Sequence, residues 1–293
     1  MLKKIVGAGF ILPVLGIGTS GVGGMDTADT TNEEQYIQSL KQALDEGYTH
    51  FDTAERYGWG YAETLLGKAI KDTSREKLQI TSKVWKTHLK HDDLLKAAKE
   101  SLERLGTDYL DLYLVHAPNK DVPLKETMEA MNVLVDNGSV RNIGVSNFSK
   151  AQIKEAQQYS KAKIVANQVD YNLWSKACDM KTIQWCIDND IMVMAYSPLQ
   201  KMDHTNVPRV LQTIADKYKR TPAQVALQWL ALKRGVVVLC KASSEEHMKE
   251  NKQGLNDFLT HVEQEKLDAL AQRPRSQVMY RRTRRMIGRY LAH

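Results

Sequence analysis

Residues Asp92 to His116 read DDLLKAAKESLERLGTDYLDLYLVH. Leu94, Leu95, Ala98, Leu102 and Leu105 recur at three- and four-residue steps, which sets them on one face of a helix. Gly106 follows, where a helix ends readily because glycine tolerates the left-handed conformation. Tyr109–His116 is then a short, largely apolar run, the pattern of a strand covered on both faces. Helix, glycine stop and buried strand together make one α/β unit.

The unit repeats along the chain. Candidate strands are Val14–Thr19, His50–Thr53, Leu78–Val84, Tyr109–His116, Ile143–Ser146, Ile164–Gln168, Ile191–Tyr196 and Val236–Cys240. Between them lie helical patterns at Glu33–Asp45, Ala62–Lys71, Asp92–Leu105, Leu124–Asn137, Lys150–Tyr159, Asp179–Asp188 and Val207–Tyr218. Extra helices are expected at Pro222–Lys233, Ser244–Gln253 and Thr260–Ala271. Strands alternating with helices imply a parallel sheet. Eight of them over about 250 residues match a closed (β/α)8 TIM barrel, with an open doubly wound sheet as the competitor. The expectation is one α/β barrel domain over residues 1–272 and a basic tail over 273–293.

Bulk properties narrow the function. With 42% apolar residues in 293, the chain buries a large core and is not disordered. No apolar run reaches the roughly 18 residues of a membrane span. Gly7, Gly9 and Pro13 break the first apolar stretch, a poor signal peptide, so a cytoplasmic location is expected. Cys178, Cys186 and Cys240 form no metal pattern, and buried reduced thiols are the expectation; no metal is called for. The net charge of +6 is concentrated from Arg273 to His293, where seven arginines stand with no acid. The near-neutral body argues against nucleic acid as a partner.

Gly16-Ile-Gly18-Thr-Ser-Gly21 satisfies the dinucleotide fingerprint G-x-G-x-x-G. That fingerprint needs the glycines to open a helix directly. Residues 22–31, VGGMDTADTT, do not begin one, so the glycines are assigned to a flexible loop after the first strand.

In such barrels functional groups gather at the C-terminal strand ends. The second strand ends in Asp52 and leads to Tyr57, the third ends in Lys83 before Trp85, and the fourth ends in His116. A lone lysine or histidine at a strand end is usually solvated or structural; this ordered set is not so easily dismissed. A free phenol has a pKa of about 10. The Lys83 ammonium is expected to favour the phenolate of Tyr57, with Asp52 holding Lys83 and His116 orienting a substrate oxygen. The set suits polarising and protonating a carbonyl under hydride attack, and hydride requires a nicotinamide.

The chain resembles the aldo-keto reductases through most of its length. The matching stretches are Leu12–Thr19, Phe51–Gly58, Ser82–Trp85, Asp111–Pro118, Ile143–Phe148, Asn167-Gln168, Ala195–Leu199 and Lys241–Asn251. The resemblance implies reversible reduction of aldehydes or ketones to alcohols, with Asp52, Tyr57, Lys83 and His116 catalytic. It implies NADP(H) as the preferred cofactor, with NAD(H) a possible alternative. Ser146, Asn147 and Gln168 would hold the nicotinamide amide and Tyr196 would stack on the ring. Ser197 and Leu199 would line the pyrophosphate path. Lys241, Ser243, His247, Glu250 and Asn251 would surround the adenosine end, and Thr19, Ser20 and Asp52 complete the set. Read without the family, Ser146-Asn147 is an ordinary helix cap.

Three departures stand out. His247 replaces the arginine that many relatives place against the 2′-phosphate, and histidine lacks the guanidinium fork; weaker discrimination against NAD(H) is expected. Ser20 and Ala117 stand where relatives commonly have tryptophan. A substrate pocket of Ser20, Tyr57, Trp85, His116 and Ala117 would be roomy and polar, favouring a sugar or hydroxylated aldehyde. Arg281, Arg282, Arg284, Arg285 and Arg289 fit a solvated tail or a subunit contact better than an anion trap. Expected partners are a small carbonyl or alcohol substrate, in a monomer or small homo-oligomer, with neither nucleic acid nor membrane. The competing function is a nicotinamide-binding regulatory module with little turnover.

Overall fold

The structure is a computed structural model; it describes residues 3–5, 9–174, 179–200, 202, 207–241, 244–255 and 259–271. Two short strands, β1 (Lys3–Ile5) and β2 (Ile11–Pro13), pair antiparallel. Eight parallel strands follow: β3 (Leu15–Gly18), β4 (His50–Asp52), β5 (Gln79–Val84), β6 (Leu112–Val115), β7 (Ile143–Ser146), β8 (Ile164–Asp170), β9 (Met192–Tyr196) and β10 (Val236–Lys241). β10 pairs with both β9 and β3, so the sheet closes into the expected eight-stranded barrel. The open-sheet alternative is excluded.

Helices α1 (Glu33–Asp45), α2 (Tyr61–Ile70), α3 (His91–Leu105), α4 (Leu124–Asp136), α5 (Lys150–Tyr159), α6 (Met180–Asp188), α7 (Arg209–Tyr218) and α8 (Pro222–Leu232) lie between the barrel strands, and α9 (Glu245–Gln253) and α10 (His261–Ala271) follow β10. Each stands within two residues of its expected bounds. The α3 face reads as foreseen: Leu94, Ala98 and Leu105 are buried, and Gly106 ends the helix at φ 64°.

The period of two along each strand divides the interior from the helix-facing layer. On β6, Tyr113 and Val115 pack outward, while Leu112 and Leu114 point into the barrel. Met192 and Met194 of β9, and Val237 and Leu239 of β10, join the same inner cluster. Continuing each inner track toward the strand end reaches His116, Tyr196 and Lys241. Each track is thus apolar along its packed length and polar at its last residue.

The hairpin was not foreseen. It brings Phe10 and Leu12 into the inner cluster, closing one end of the barrel with apolar surface. The candidate strand Val14–Thr19 holds, and the loop reading of the fingerprint glycines fails for two of them. Gly16 and Gly18 lie inside β3, and a Cβ on Gly16 would stand 2.4 Å from Nδ1 of His50. Gly16 is therefore demanded by close packing rather than by a loop, and the first long helix begins only at Glu33, as a non-Rossmann reading requires. Cys186 and Cys240 are free and buried, and burial pushes their thiols up to about 11 and about 12. Cys178 and the arginine tail lie outside the described residues. Among the described residues no helix is long and apolar enough to cross a membrane, and no cluster of His, Cys, Asp and Glu could hold a metal.

Candidate active site

β4 and β5 run side by side with Asp52 opposite Thr81, so Asp52 and Lys83 emerge into the barrel at one rim. Lys83 is fully buried, and its ammonium donates to Oδ1 of Asp52 at 2.6 Å, to the Thr53 carbonyl at 2.7 Å and to the Tyr57 hydroxyl at 3.4 Å. Three acceptors satisfy its three donors. Burial works against its charge, but Asp52 and Tyr57 outweigh burial and hold Lys83 above the ordinary lysine value. Burial likewise raises the Asp52 carboxyl, opposed by Lys83 and by the Gln168 amide.

Lys83 lowers the Tyr57 phenol as expected, but a larger effect opposes it. Burial comes first and raises the phenol; Lys83 and hydrogen bonds from Lys83 and Ser20 oppose it without prevailing. The lysine therefore moderates a phenol that stays protonated rather than producing a standing phenolate. His116 meets the Tyr57 ring edge-on at 5.7 Å and the Trp85 ring at 5.0 Å. Burial, then the charges of Lys83 and Arg56, push His116 down to about 3, so the imidazole is neutral near pH 7. All four predicted residues meet at one place.

The expected nicotinamide residues join them through one hydrogen-bond chain. The Tyr196 hydroxyl donates to Oδ1 of Asn147 at 3.0 Å, and Nδ2 of Asn147 donates to the Ser146 hydroxyl at 3.0 Å. Ser146 donates to the Gln168 carbonyl at 3.0 Å, and Nε2 of Gln168 donates to Oδ2 of Asp52 at 2.7 Å. Asn147 also donates to the His116 carbonyl at 3.2 Å. Asn147 and Ser197 are non-glycine residues in the left-handed region, at φ 62° and 52°. The cap reading of Ser146-Asn147 does not hold: α5 is capped by Ser149, boxed with Gln152.

Thr19 is buried, its amide donating to the Asp52 carbonyl at 2.9 Å. Ser20 and Ala117 are partly buried, as is Leu199, which packs against the main core. Lys241 is exposed at the end of β10, and its ammonium lies 3.3 Å from where a Cβ on Gly21 would stand. On α9, His247 is exposed and its amide donates to the capping Ser244 hydroxyl at 3.2 Å, while Glu250 and Asn251 are partly buried. Ser243 lies outside the described residues.

Sequence reasoning missed several neighbours. Glu55 is buried, accepts the Trp85 amide and meets Nδ1 of His88 at 3.1 Å, tying the Tyr57 loop to the Trp85 loop. His50 lies on the same inner face as Asp52, bonded to the Thr81 hydroxyl at 3.2 Å, and burial pushes it down to about 3. Inward alternation from Asp52 was the signal that could have found His50; nothing local marks Glu55.

A family model described as the aldo/keto reductase family matches residues 14–272. Glyoxal reductase of Bacillus subtilis is 36% identical over 252 residues, covering 84% of this chain and 87% of its own. Methylglyoxal reductase YeaE of Escherichia coli is 34% identical over 262 residues, covering 88% and 90%. A thermostable aldo-keto reductase solved with the inhibitor epalrestat superposes with a TM-score of 0.88 at 44% identity, covering 92% of this chain and 100% of that one. An aldo/keto reductase from Klebsiella pneumoniae, solved with NADP and acetate, gives 0.83 at 33% identity, covering 94% and 97%. A barrel closed around buried Lys83, matched by a family model over nearly all its length, leaves no doubt of kinship: the chain belongs to the aldo/keto reductase family.

Proposed function

We propose that the protein reduces aldehydes or ketones to alcohols, reversibly, with NADP(H) preferred and NAD(H) a possible alternative. The observation that carries the reading is the Lys83 ammonium, held by Asp52 and bonded to the Tyr57 hydroxyl beside a neutral His116. A substrate oxygen between Tyr57 and His116 would accept hydrogen bonds from both, and Tyr57 would hand it a proton as the carbon is reduced. Lys83 stabilises the tyrosinate that this transfer leaves, which restores to the lysine the role expected of it. Asp52 keeps Lys83 charged and aimed.

The residues fit a nicotinamide. Ser146, Asn147 and Gln168 offer hydroxyl and amide groups suited to a carboxamide, and the partly exposed Tyr196 ring offers a stacking face. A bound nicotinamide supplies the hydride, which no side chain can. Ser197, Leu199, Lys241, Ser243, His247, Glu250 and Asn251 are proposed for its phosphates and adenosine. Lys241 makes no ion pair among the described residues, and its ammonium stands beside Gly21 at the end of β10. The pocket of Ser20, Trp85 and Ala117 suits a polar, hydroxylated aldehyde.

Purified protein assayed with NADPH and NADH across aldoses, short aldehydes, keto acids and diketones tests the reading. Turnover favouring NADPH is expected. NADPH binding with no turnover on any of these carbonyls would favour a regulatory module instead.

A further inference from the structure

Tyr57–Gly60 forms a tight turn whose inner residues, Gly58 and Trp59, sit at φ 57° and 51°. Trp59 is a bulky residue in the left-handed region, a conformation that side chains of its size rarely adopt. It is also 52% exposed. Strain that exposes a large indole gains nothing from the core.

What stands beside that indole is Arg56. Its guanidinium lies 4.8 Å from the Trp59 ring centroid and 5.3 Å from that of Trp85, the ring that touches His116. Trp85 thus joins Arg56 to His116, and the Arg56 charge is the smallest of the causes that lower that imidazole. The two indoles lie near the guanidinium, whose side chain is 23% exposed, and its N–H edge meets other groups. That edge already holds a carboxylate: Nη2 pairs with Asp26, while Nη1 donates to the Met25 carbonyl at 3.1 Å. The Asp26 side chain is 81% exposed, and so weakly retained against competition. Lys86 adds a second cation 5.5 Å from the Trp85 ring. The nearby Glu55 carboxylate is turned away, engaged with the Trp85 amide and His88.

We propose that the substrate carries a carboxylate, received by the Arg56 guanidinium between Trp59 and Trp85, and that Asp26 competes for the same N–H edge. The proposal rests on the carbonyl-reductase reading and narrows its substrate to carboxylated carbonyl compounds. Arginine suits this role because its planar fork meets a carboxylate with two parallel hydrogen bonds.

The test compares kcat/KM for succinic semialdehyde and butyraldehyde, which differ in one terminal carboxylate, in the wild type, Arg56→Gln and Asp26→Asn. The wild type is expected to prefer succinic semialdehyde. That preference should fall by about tenfold in Arg56→Gln, the scale of one hydrogen bond to a charged group. It should rise severalfold in Asp26→Asn, which frees the edge. A wild-type preference for butyraldehyde, or a preference that neither variant alters, would overturn the proposal. So would an equal loss on both aldehydes in Asp26→Asn, the mark of a pair that only fastens loops. If the wild type turns over neither aldehyde, the reductase reading fails on its own. Tryptophan fluorescence during titration with succinate then decides the carboxylate site: a saturable change in the wild type that Arg56→Gln abolishes supports it, and no saturable change overturns it.

Discussion

Replacing His50 with glutamine should change how the stability of the barrel depends on pH. His50 is fully buried with Nδ1 unpartnered, and burial holds it near 3, against about 6.5 in an unfolded chain. Between those values the unfolded chain carries a proton that the folded chain does not. Stability contributed by keeping His50 neutral is therefore full above the unfolded value and is lost as pH falls toward the folded one. One proton of difference is worth about 1.4 kcal/mol per pH unit, so about 2.7 kcal/mol across two units. Asp52 and Glu55, raised by burial, act with the opposite sign over part of this range, and His116 adds its own loss. Those groups are common to both proteins, so the difference between wild type and His50→Gln isolates His50. Glutamine keeps a polar group near Thr81 and cannot titrate. Urea unfolding at intervals from about pH 6 to pH 4 should show the wild type losing about 1.4 kcal/mol per unit relative to the variant. Parallel curves for the two proteins would refute the claim that His50 is held neutral by burial.

Three further outcomes follow from contacts at and behind the rim. Arg104 donates to the fully buried Glu63 at 2.7 Å, so Arg104→Met should cost about 3–5 kcal/mol in chemical denaturation by stranding that carboxylate; a cost under about 1 kcal/mol would count against it. Glu55→Ala releases the Trp85 amide and His88, and should raise KM for the carbonyl several times more than it lowers kcat. An equal fall in kcat and kcat/KM would instead mean that Glu55 acts only at the transition state. Lys241→Met should weaken NADPH binding by about tenfold in a fluorescence titration, since an exposed ammonium at the rim is lost; an unaltered Kd would remove Lys241 from the phosphate path.

The barrel was legible because the strand tracks are regular. The run from Leu112 through Leu114 to His116 shows both the packing and the place where it stops. Asp52, Lys83 and His116 could be found because inward alternation and strand ends are sequence properties. The hairpin was not visible, since three-residue strands carry too little pattern to separate from a loop. The effect of Lys83 on Tyr57 was legible, since the ammonium does lower the phenol, but the net balance was not. Sequence names the ammonium beside the phenol but not the depth of burial, and burial is the larger influence. The need for glycine at Gly16 was not legible, because its reason, the ring of His50, comes from a strand more than thirty residues away. Arg56 and Trp59 owe their juxtaposition to a left-handed turn, whose only local trace is the pair Gly58 and Gly60.

The central claim is that Tyr57 protonates the substrate oxygen with Lys83 behind it. The direct measurement is kcat for NADPH-dependent carbonyl reduction by the wild type and Tyr57→Phe, with NADPH affinity determined in parallel by fluorescence. The account predicts a fall in kcat of about a hundredfold or more, the scale of a lost general acid, while NADPH still binds. A Tyr57→Phe protein that reduces the same carbonyl within about tenfold of the wild-type rate would contradict it.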